Sequence, residues 1–480
     1  MKTLRWYDHL SINLFWLGLN IRNTAVGSVF MPYLVAGFVS GEVMNTALGA
    51  MRTAGLVIAM LVQPAMGLLS DRSTSRFGRR RPFIFAGALF DLLFLASIGL
   101  AGGYWALLIA ILLQQFSANV SHGPLQALIP DLVPADQRGR SSGVKAIFEL
   151  IPLILVAFTV AKLVAAQQVG WAIFATGVGL LITMLLTMLL VKEAPLREKL
   201  GTPLGPPMLR VLGILAGIGV GAAAGLLGGG VIGGLAGLIA WPAAGATTAR
   251  AVGLGVGGLV AMAVAVVVGV WAGAAATLGR KDAREHAPFT WWVVNRLLFL
   301  AAATSIQGFA PYFFMYAFRM TREAATGLNA NLMMAVGVCT LLSALPGGWL
   351  ADRIGHRLPV GVSGLVAALA AFLLLATVWA PSLALVYVAG ITLGLAAGLF
   401  MTTNWAMGTQ LVPPAESGRY LGISNLAGAG AGMIGAGIGG PLADNLNAVT
   451  PGLGYAAIFV CYGVLFVLST VSLRWVKGGR

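Results

Sequence analysis

Apolar runs of about 20 residues or more, separated by short polar or charged stretches, recur along the whole chain. Each is long enough to cross a ~30 Å hydrocarbon layer as a helix rising ~1.5 Å per residue. The runs fall near 10–38, 46–70, 83–101, 104–129, 143–166, 170–191, 211–240, 251–278, 291–318, 326–350, 359–379, 383–411, 420–442 and 453–475. The pattern predicts an all-α integral membrane protein with about 14 transmembrane helices in one bundle. The first run, after Arg5, is too long for the apolar part of a cleavable signal and no small-residue cleavage site follows it. It is expected to stay as the first span.

Composition agrees with a lipid solvent: 58% of the 480 residues are hydrophobic and only 9% are charged, a balance that a water-facing surface does not tolerate. The net charge of +15 is not evenly spread. Lys2 and Arg5, then Arg72 to Arg81, Arg138 to Lys145, Lys192 to Arg210, Arg280 to Arg284, Arg353 and Arg357, Arg419, and Arg474 to Arg480 all fall on one side if the chain crosses 14 times. The opposite loops hold little more than Arg52, Lys162, Arg250, Arg319 and Arg322. This asymmetry puts both termini in the cytoplasm. It assigns the basic charge to topology and to anionic lipid headgroups of the cell membrane, and leaves no case for nucleic acid. Cys339 and Cys461 both lie inside predicted helices, so buried thiols are expected rather than a disulfide.

Two loops are repeated. Gly67-Leu-Leu-Ser-Asp71-Arg72 returns as Gly348-Trp-Leu-Ala-Asp352-Arg353, 281 residues later. Leu132-Val133-Pro134, leading to Arg140 and Gly143, returns as Leu411-Val412-Pro413, leading to Arg419 and Gly422, 279 residues later. The same loops in the same order at one spacing imply two parallel halves, and membrane halves related in this way enclose a solute path. Halves of six spans should repeat at roughly 200 residues, so the excess belongs to the Gly/Ala-rich stretch from about 205 to 280. The expected division is 1–200, an N-terminal six-helix half; 201–285, a central insertion of two transmembrane helices; and 286–480, a C-terminal six-helix half. Glycines three and four apart in the insertion let helix backbones approach closely and offer a face to a partner helix. Gly217-x-Gly219-x-x-Ala222 is not a nucleotide fingerprint, since no strand precedes it and no acid follows at the required distance.

Ionisable groups in mid-membrane are costly and usually functional. Asp91, ten residues into the third span, lies ~15 Å deep. Arg22 in the first span reaches a similar depth, so an ion pair between them is physically possible; protonating Asp91 would then release Arg22. The alternative reading of Arg22 is a structural partner of Asp91 or of a backbone carbonyl. Glu149 is shallower and suits a cytoplasmic gate, while Arg296, near the start of its span, is expected to snorkel. Asn20, Asn23, Gln114, Gln115, Asn119, Gln307 and Asn404 add neutral amides, and Trp16 and Trp405 add aromatic faces. Such groups suit a hydroxyl-rich solute; the same amides also serve as staples between helices.

His9, His122, His286 and His356 show no metal-ligand spacing, no nucleophile–base pair is visible, and no Walker-type loop is present. The chain therefore reads as no enzyme, with no cofactor or metal. Two classes remain: a secondary transporter of a small polar solute, possibly with a proton, and a transporter-shaped scaffold or carrier for a lipid or pigment, or an assembly factor. Polar residues through the core favour the first; the glycine-rich hairpin favours the second.

The paired Gly-x-x-x-Asp-Arg loops and the 6+6 plan resemble the major facilitator superfamily across both halves. Two segments of the first half, Ser70-Asp71-Arg72 through Gly78-Arg79-Arg80-Arg81-Pro82 and Asn119 through His122-Gly123-Pro124 to Asp131-Leu132, resemble the sucrose/proton symporters, of glycoside–pentoside–hexuronide type. The resemblance implies a major-facilitator bundle with two added central helices, moving a sugar or glycoside by alternating access. It also implies a cytoplasmic gate built from Gly67, Asp71, Arg72, Gly78, Arg79 and Arg80, with Asp352 and Arg353 as their repeats, in which Asp71 latches onto the helix start near Gly418–Gly422. One departure stands out: Gln115 falls where the plant carriers have a membrane-embedded Asp important for proton coupling. Gln does not titrate, so coupling here uses another acid or is absent.

Overall fold

The computed structural model describes residues 4–193, 205–411 and 417–476, with the side chains of Ala135, Pro206, Pro207, Asp352, 417–427 and Ala429 outside the description. The chain is helical throughout these residues: α1 (Trp6–Ala25), α2 (Met31–Phe38), α3 (Met44–Asp71), α4 (Arg81–Gly99), α5 (Tyr104–Gln126), α6 (Leu128–Leu132), α7 (Arg138–Phe158), α8 (Val160–Ala165), α9 (Val169–Leu190), α10 (Gly205–Leu278), α11 (Arg280–Glu285), α12 (Ala287–Ala317), α13 (Arg322–Ile354), α14 (Arg357–Ala376), α15 (Leu383–Gln410), α16 (Ser417–Asn447) and α17 (Leu453–Ser472). Among the described residues, 11 helices are long and apolar enough to cross a membrane. The expected 14 are not counted out as separate helices. The first run is divided by a π-helical turn at Val26–Phe30, and the two central runs join in α10. The π turn has a local cause. Pro32 has no N–H to give the carbonyl of Ser28, and its ring crowds that carbonyl, so the preceding turn widens.

The chain forms two compact units, Met1–Phe38 with Ala54–Val211 and Asn329–Met334, and Val39–Thr53 with Leu212–Leu328 and Ala335–Arg480. In the first, Ile12, Phe15, Trp16 and Leu19 make one stripe of α1, at helical spacing. That stripe packs on Ile84 and Ala88 of α4, Leu125 and Leu128, and Leu180 and Met184 of α9. With lipid as the alternative neighbour, close contact rather than water exclusion favours this packing. Small residues therefore sit where helices touch: a Cβ on Gly18 would strike Thr183, and one on Gly123 would strike the backbone at Gln63 and Gly67. Gly67 thus marks the crossing of α3 and α5.

In the second unit, α12 packs on α16 and α17, and α14 on α15 and α17. α10 reverses at Gly245, where φ is +76° and the backbone leaves the helix. The arms return antiparallel with Gly217 against Gly273, Gly221 against Gly269, Gly229 against Gly257 and Gly233 against the backbone of Gly253 and Gly257. The register is symmetric about the Gly245 turn, so glycines at every fourth position meet across the hairpin. Gly228 and Gly230 point elsewhere, with nothing within 4 Å of their would-be Cβ positions.

This divides the glycines into two classes that stability measurements should separate. Gly225→Val places its Cβ against the backbone of Ala261 and should cost about 2 kcal/mol by overpacking. Gly230→Val should leave thermal unfolding in detergent unchanged or slightly improved, because valine loses less backbone freedom.

Candidate functional site

The most enclosed charge in the first unit is an ion pair inside the helix bundle. Arg22 Nε of α1 lies 2.9 Å from Asp91 Oδ2 of α4. Both side chains are closed off, with residue exposures of 1% and 0%. Gln114 of α5, also fully buried, donates Nε2–H to Asp91 Oδ1 at 2.9 Å. Arg22 Nη1 donates to Asn23 Oδ1. The shared depth expected from sequence thus becomes a contact joining three helices. Gln114 Oε1 is buried and has no donor partner among the described residues. Gln115, one position on, turns to α3, its Cγ 3.2 Å from where a Cβ of Gly55 would stand. Asn119 is buried and donates to the Gln115 carbonyl at 2.7 Å, and Asn20 donates to the Trp16 carbonyl at 2.8 Å. These two amides act within their own helices.

One side of Trp16 carries a second group. His122 meets the indole edge to face at 5.2 Å, and Lys145 Nζ stands 4.2 Å from its ring centre. Lys145 pairs with Glu149 one turn along α7 at 3.2 Å. Glu149 is 41% exposed at its side chain, so it belongs to the accessible face of α7, not to the enclosed pair.

In the second unit Asn404 is the hub. Its Nδ2 donates to Asn295 Oδ1 at 2.7 Å, its Oδ1 accepts from Arg296 Nη1 at 3.2 Å, and its carbonyl accepts from Trp292 Nε1 at 2.9 Å. Asn295 Nδ2 donates onward to the carbonyl and hydroxyl of Ser469. Arg296 does not snorkel as expected. Its guanidinium lies 5.1 Å from the Trp405 ring centre and bonds Asn404, because the amide offers an acceptor inside the bundle. Gln307 is half-buried on α12. Arg52, expected in an outer loop, is inside α3 with its guanidinium filling the space a side chain at Gly308 would take.

The loop between α3 and α4 of the first unit is a balanced charge cluster. Arg80, the residue before α4, is 3% exposed and pairs with Asp71 and, at 3.0 Å through Nε, with Asp131 Oδ2. Its Nη1 donates to Ser70 Oγ at 2.6 Å and to the Gly67 carbonyl at 3.2 Å. Arg79 Nη2 meets Asp131 Oδ1 at 2.5 Å. Glu193 accepts from the backbone N–H of Arg80 at 2.9 Å and of Arg81 at 3.3 Å, capping the positive end of α4. Gly78 has φ +101°, and a Cβ there would press on the Glu193 carboxylate, so the position requires glycine twice over. Asp71 is thus held by Arg80 within its own unit. The side chains around Gly418–Gly422, and that of Asp352, lie outside the described residues. Arg353 lies over Trp349 at 4.0 Å.

The repeat carries a substitution that sequence reading passed over. Before α14 stands His356 where Arg80 stands before α4, and before Leu411-Val412-Pro413 stands Gln410 where Asp131 precedes Leu132-Val133-Pro134. His356 Nε2 and Gln410 Nε2 are 2.9 Å apart, a hydrogen-bonded contact where the first half has the Arg80–Asp131 ion pair. Asn295 was equally readable: it is 282 residues after Asn13, whose Nδ2 bonds Ser141 as that of Asn295 bonds Ser469.

A buried ion pair is held in place mainly by the cost of leaving one member alone. Arg22→Met should therefore lower unfolding stability by about 3 kcal/mol. The Arg22→Met/Asp91→Leu double variant should recover most of that loss in the same detergent melt.

Three comparisons bear on this arrangement. The profile described as "Major Facilitator Superfamily" matches residues 209–436 and 292–479, and that described as "MFS/sugar transport protein" matches 16–216. The chain is 42% identical over 97 residues to proton-associated sugar transporter A of Homo sapiens, covering 17% of this chain and 13% of that protein. It is 39% identical over 100 residues to sucrose transport protein SUT1 of Oryza sativa subsp. japonica, covering 16% and 19%, and 30% identical over 123 residues to sucrose transport protein SUC3 of Arabidopsis thaliana, covering 21% of each. The matched stretches thus span about a fifth or less of these relatives' length. A D-xylose–proton symporter structure superposes with TM-score 0.64 at 15% identity, over 99% of this chain and 98% of the other; a nucleoside transporter does so with TM-score 0.64 at 13%, over 97% and 99%. Those likenesses concern the fold, which is that of a bundle of two repeated halves. By profiles that together run through both halves, the chain belongs to the Major Facilitator Superfamily.

Proposed function

We propose that the protein is a secondary transporter of a sugar or glycoside, working by alternating access in the cell membrane with both termini cytoplasmic, and that Asp91 is its proton-binding group. The observation that carries this reading is the enclosed Arg22–Asp91–Gln114 centre. A carboxylate taken out of water in mid-membrane is costly, and here the arginine offsets that cost. Gln115 stands where similar carriers have an acid, and the adjacent Gln114 reaches across to Asp91. In this chain the titratable group beside that amide is Asp91 on α4.

The chemistry follows from the bonds. A proton arriving at Asp91 Oδ2 removes the charge that Arg22 faces, and the guanidinium is released with its fork of donors free for solute hydroxyls. Gln114 Oε1, buried without a donor, accepts a hydroxyl from the same solute. Loss of the proton to the cytoplasm restores the ion pair, which competes with the solute for Arg22 and favours its departure. Asn23 lines the approach in this scheme. Glu149, paired with Lys145 on the accessible face of α7, and the Asp71–Arg72–Arg79–Arg80 cluster, with Asp352 and Arg353 as its repeat, act at the cytoplasmic gate. Gln307 and the Asn404 hub are the amides that the second half contributes to this scheme. The basic loops rest on anionic headgroups, and the outward glycines of the hairpin, among them Gly228 and Gly230, are available to a partner helix.

Purified protein in liposomes tests this with radiolabelled sucrose and maltose, with and without an inward proton gradient. The wild type should accumulate one of them only with the gradient. Asp91→Asn should lose accumulation by at least about tenfold while retaining sugar exchange across the membrane, because the neutral amide mimics the protonated state. Gradient-driven accumulation that survives in Asp91→Asn would exclude Asp91 as the proton site. Equilibration without accumulation in the wild type would make the protein a facilitator.

A further inference from the structure

α3 begins in one compact unit and ends in the other: residues up to Thr53 belong with the second unit, and Ala54 onward with the first. Whatever holds the first turns of α3 therefore bears on the whole helix. Those turns lie directly on the last turns of α16. A Cβ at Gly49 would strike the Ala436 carbonyl, and a Cβ at Gly440 would strike the backbone of Asn45 and Thr46. The contact is closed by one carboxylate. Asp444 Oδ1 accepts from Asn45 Nδ2 at 2.7 Å, and Asp444 Oδ2 accepts from the backbone N–H of Thr46 at 2.7 Å. Asp444 is 6% exposed and Asn45 1%.

The location suits an anion. Thr46 is in the first turn of α3, so its N–H has no partner within the helix and stands at the positive end of the helix dipole. Val43, immediately before α3, has no side-chain oxygen with which to cap it. A residue of α16 supplies the missing cap. By the distribution of positive charge this end of α3 faces the exterior. Asp71, the last residue of α3, marks the opposite end of the same helix.

We propose that Asp444 is a releasable outer clamp of the transport cycle. It is a positioning residue that holds the start of α3 on α16 in the state described and lets go when the exterior side opens. Both bonds run through a single side chain, so they form and break together, which makes the contact a two-state element rather than a gradual one. The sequence places acids at the C-terminal ends of both α3 and α16, Asp71 and Asp444. On this proposal the exterior acid caps α3 in one state of the cycle, as the cytoplasmic loop acts in the other. The clamp rests on the transporter reading above, and its test reads conformation independently of flux.

The experiment uses full-length protein in liposomes with Cys339 and Cys461 replaced by alanine and Leu48, which is fully buried one turn below the clamp, replaced by cysteine. A membrane-impermeant maleimide added outside reports opening. Asp444→Asn should raise the labelling rate about tenfold, the scale for losing a charge-assisted hydrogen bond. Asn45→Ala, which removes one of the two bonds and keeps the carboxylate, should give a smaller rise. If Asp444→Asn does not fold, Asn45→Ala alone decides, read as faster hydrogen exchange over residues 44–51. Labelling or exchange unchanged in these variants would overturn the clamp, even where sugar uptake is intact. Faster labelling in a protein whose wild type moves no sugar would keep the clamp and reject the sugar.

Discussion

A membrane bundle has no water to satisfy a charge, so each ionised group inside it must be matched by protein. The Arg22–Asp91 pair is where that constraint bears hardest on this chain. It ties α1 to α4 and, through Gln114, to α5, so that three helices of the first unit share one electrostatic centre. Replacing the pair by apolar side chains would leave a stable bundle. Its persistence in the interior therefore points to a role beyond holding the helices together. On the proposed reading, an event that neutralises Asp91 changes what Arg22 can bind, and protonation would be coupled to solute recognition without a further moving part.

The same economy governs the ends of the helices. Glu193 caps α4 and Asp444 caps α3, each acid coming from a different helix or loop. Caps supplied in this way connect helix ends that must separate or stay together as a unit. The cluster of Asp71, Arg79, Arg80, Asp131 and Glu193 is knit within the first unit. Its counterpart in the second half is the single contact between His356 and Gln410, which has no carboxylate. The halves thus share a plan and differ in how strongly these repeated loops are tied. Glycine works alongside these polar ties, since in lipid the closeness of backbones is itself the stabilising contact.

Much of this was legible in the sequence. Apolar length and loop charge predict the membrane helices, and the repeats of Gly67–Arg72 and Leu132–Pro134 predict two halves; these depend on period and composition, which survive without knowing any contact. The glycines of the central stretch were readable as close-packing faces, and the turn at Gly245 fits the gap between the two runs. Depth along a helix pointed to Arg22 and Asp91 as possible partners. What stayed hidden are contacts set by rotation about the helix axis. Gln114 rather than Gln115 reaches Asp91, a difference of about 100° around α5 that no linear pattern with mixed neighbours reveals. Arg52 and Arg296 were placed by their distance from a loop, but each finds a niche inside, against Gly308 and with Asn404. Asp444 was invisible because its partners are nearly 400 residues earlier in the chain.

The central claim is that the carboxylate facing Arg22 takes up a proton when solute binds. Infrared difference spectroscopy on reconstituted protein, recorded as sucrose or maltose is added at mildly acidic pH, tests it directly. The account predicts a new protonated-carboxyl C=O band on sugar binding that is missing in Asp91→Asn. Sugar binding with no such band, or with a band that remains in Asp91→Asn, would contradict it.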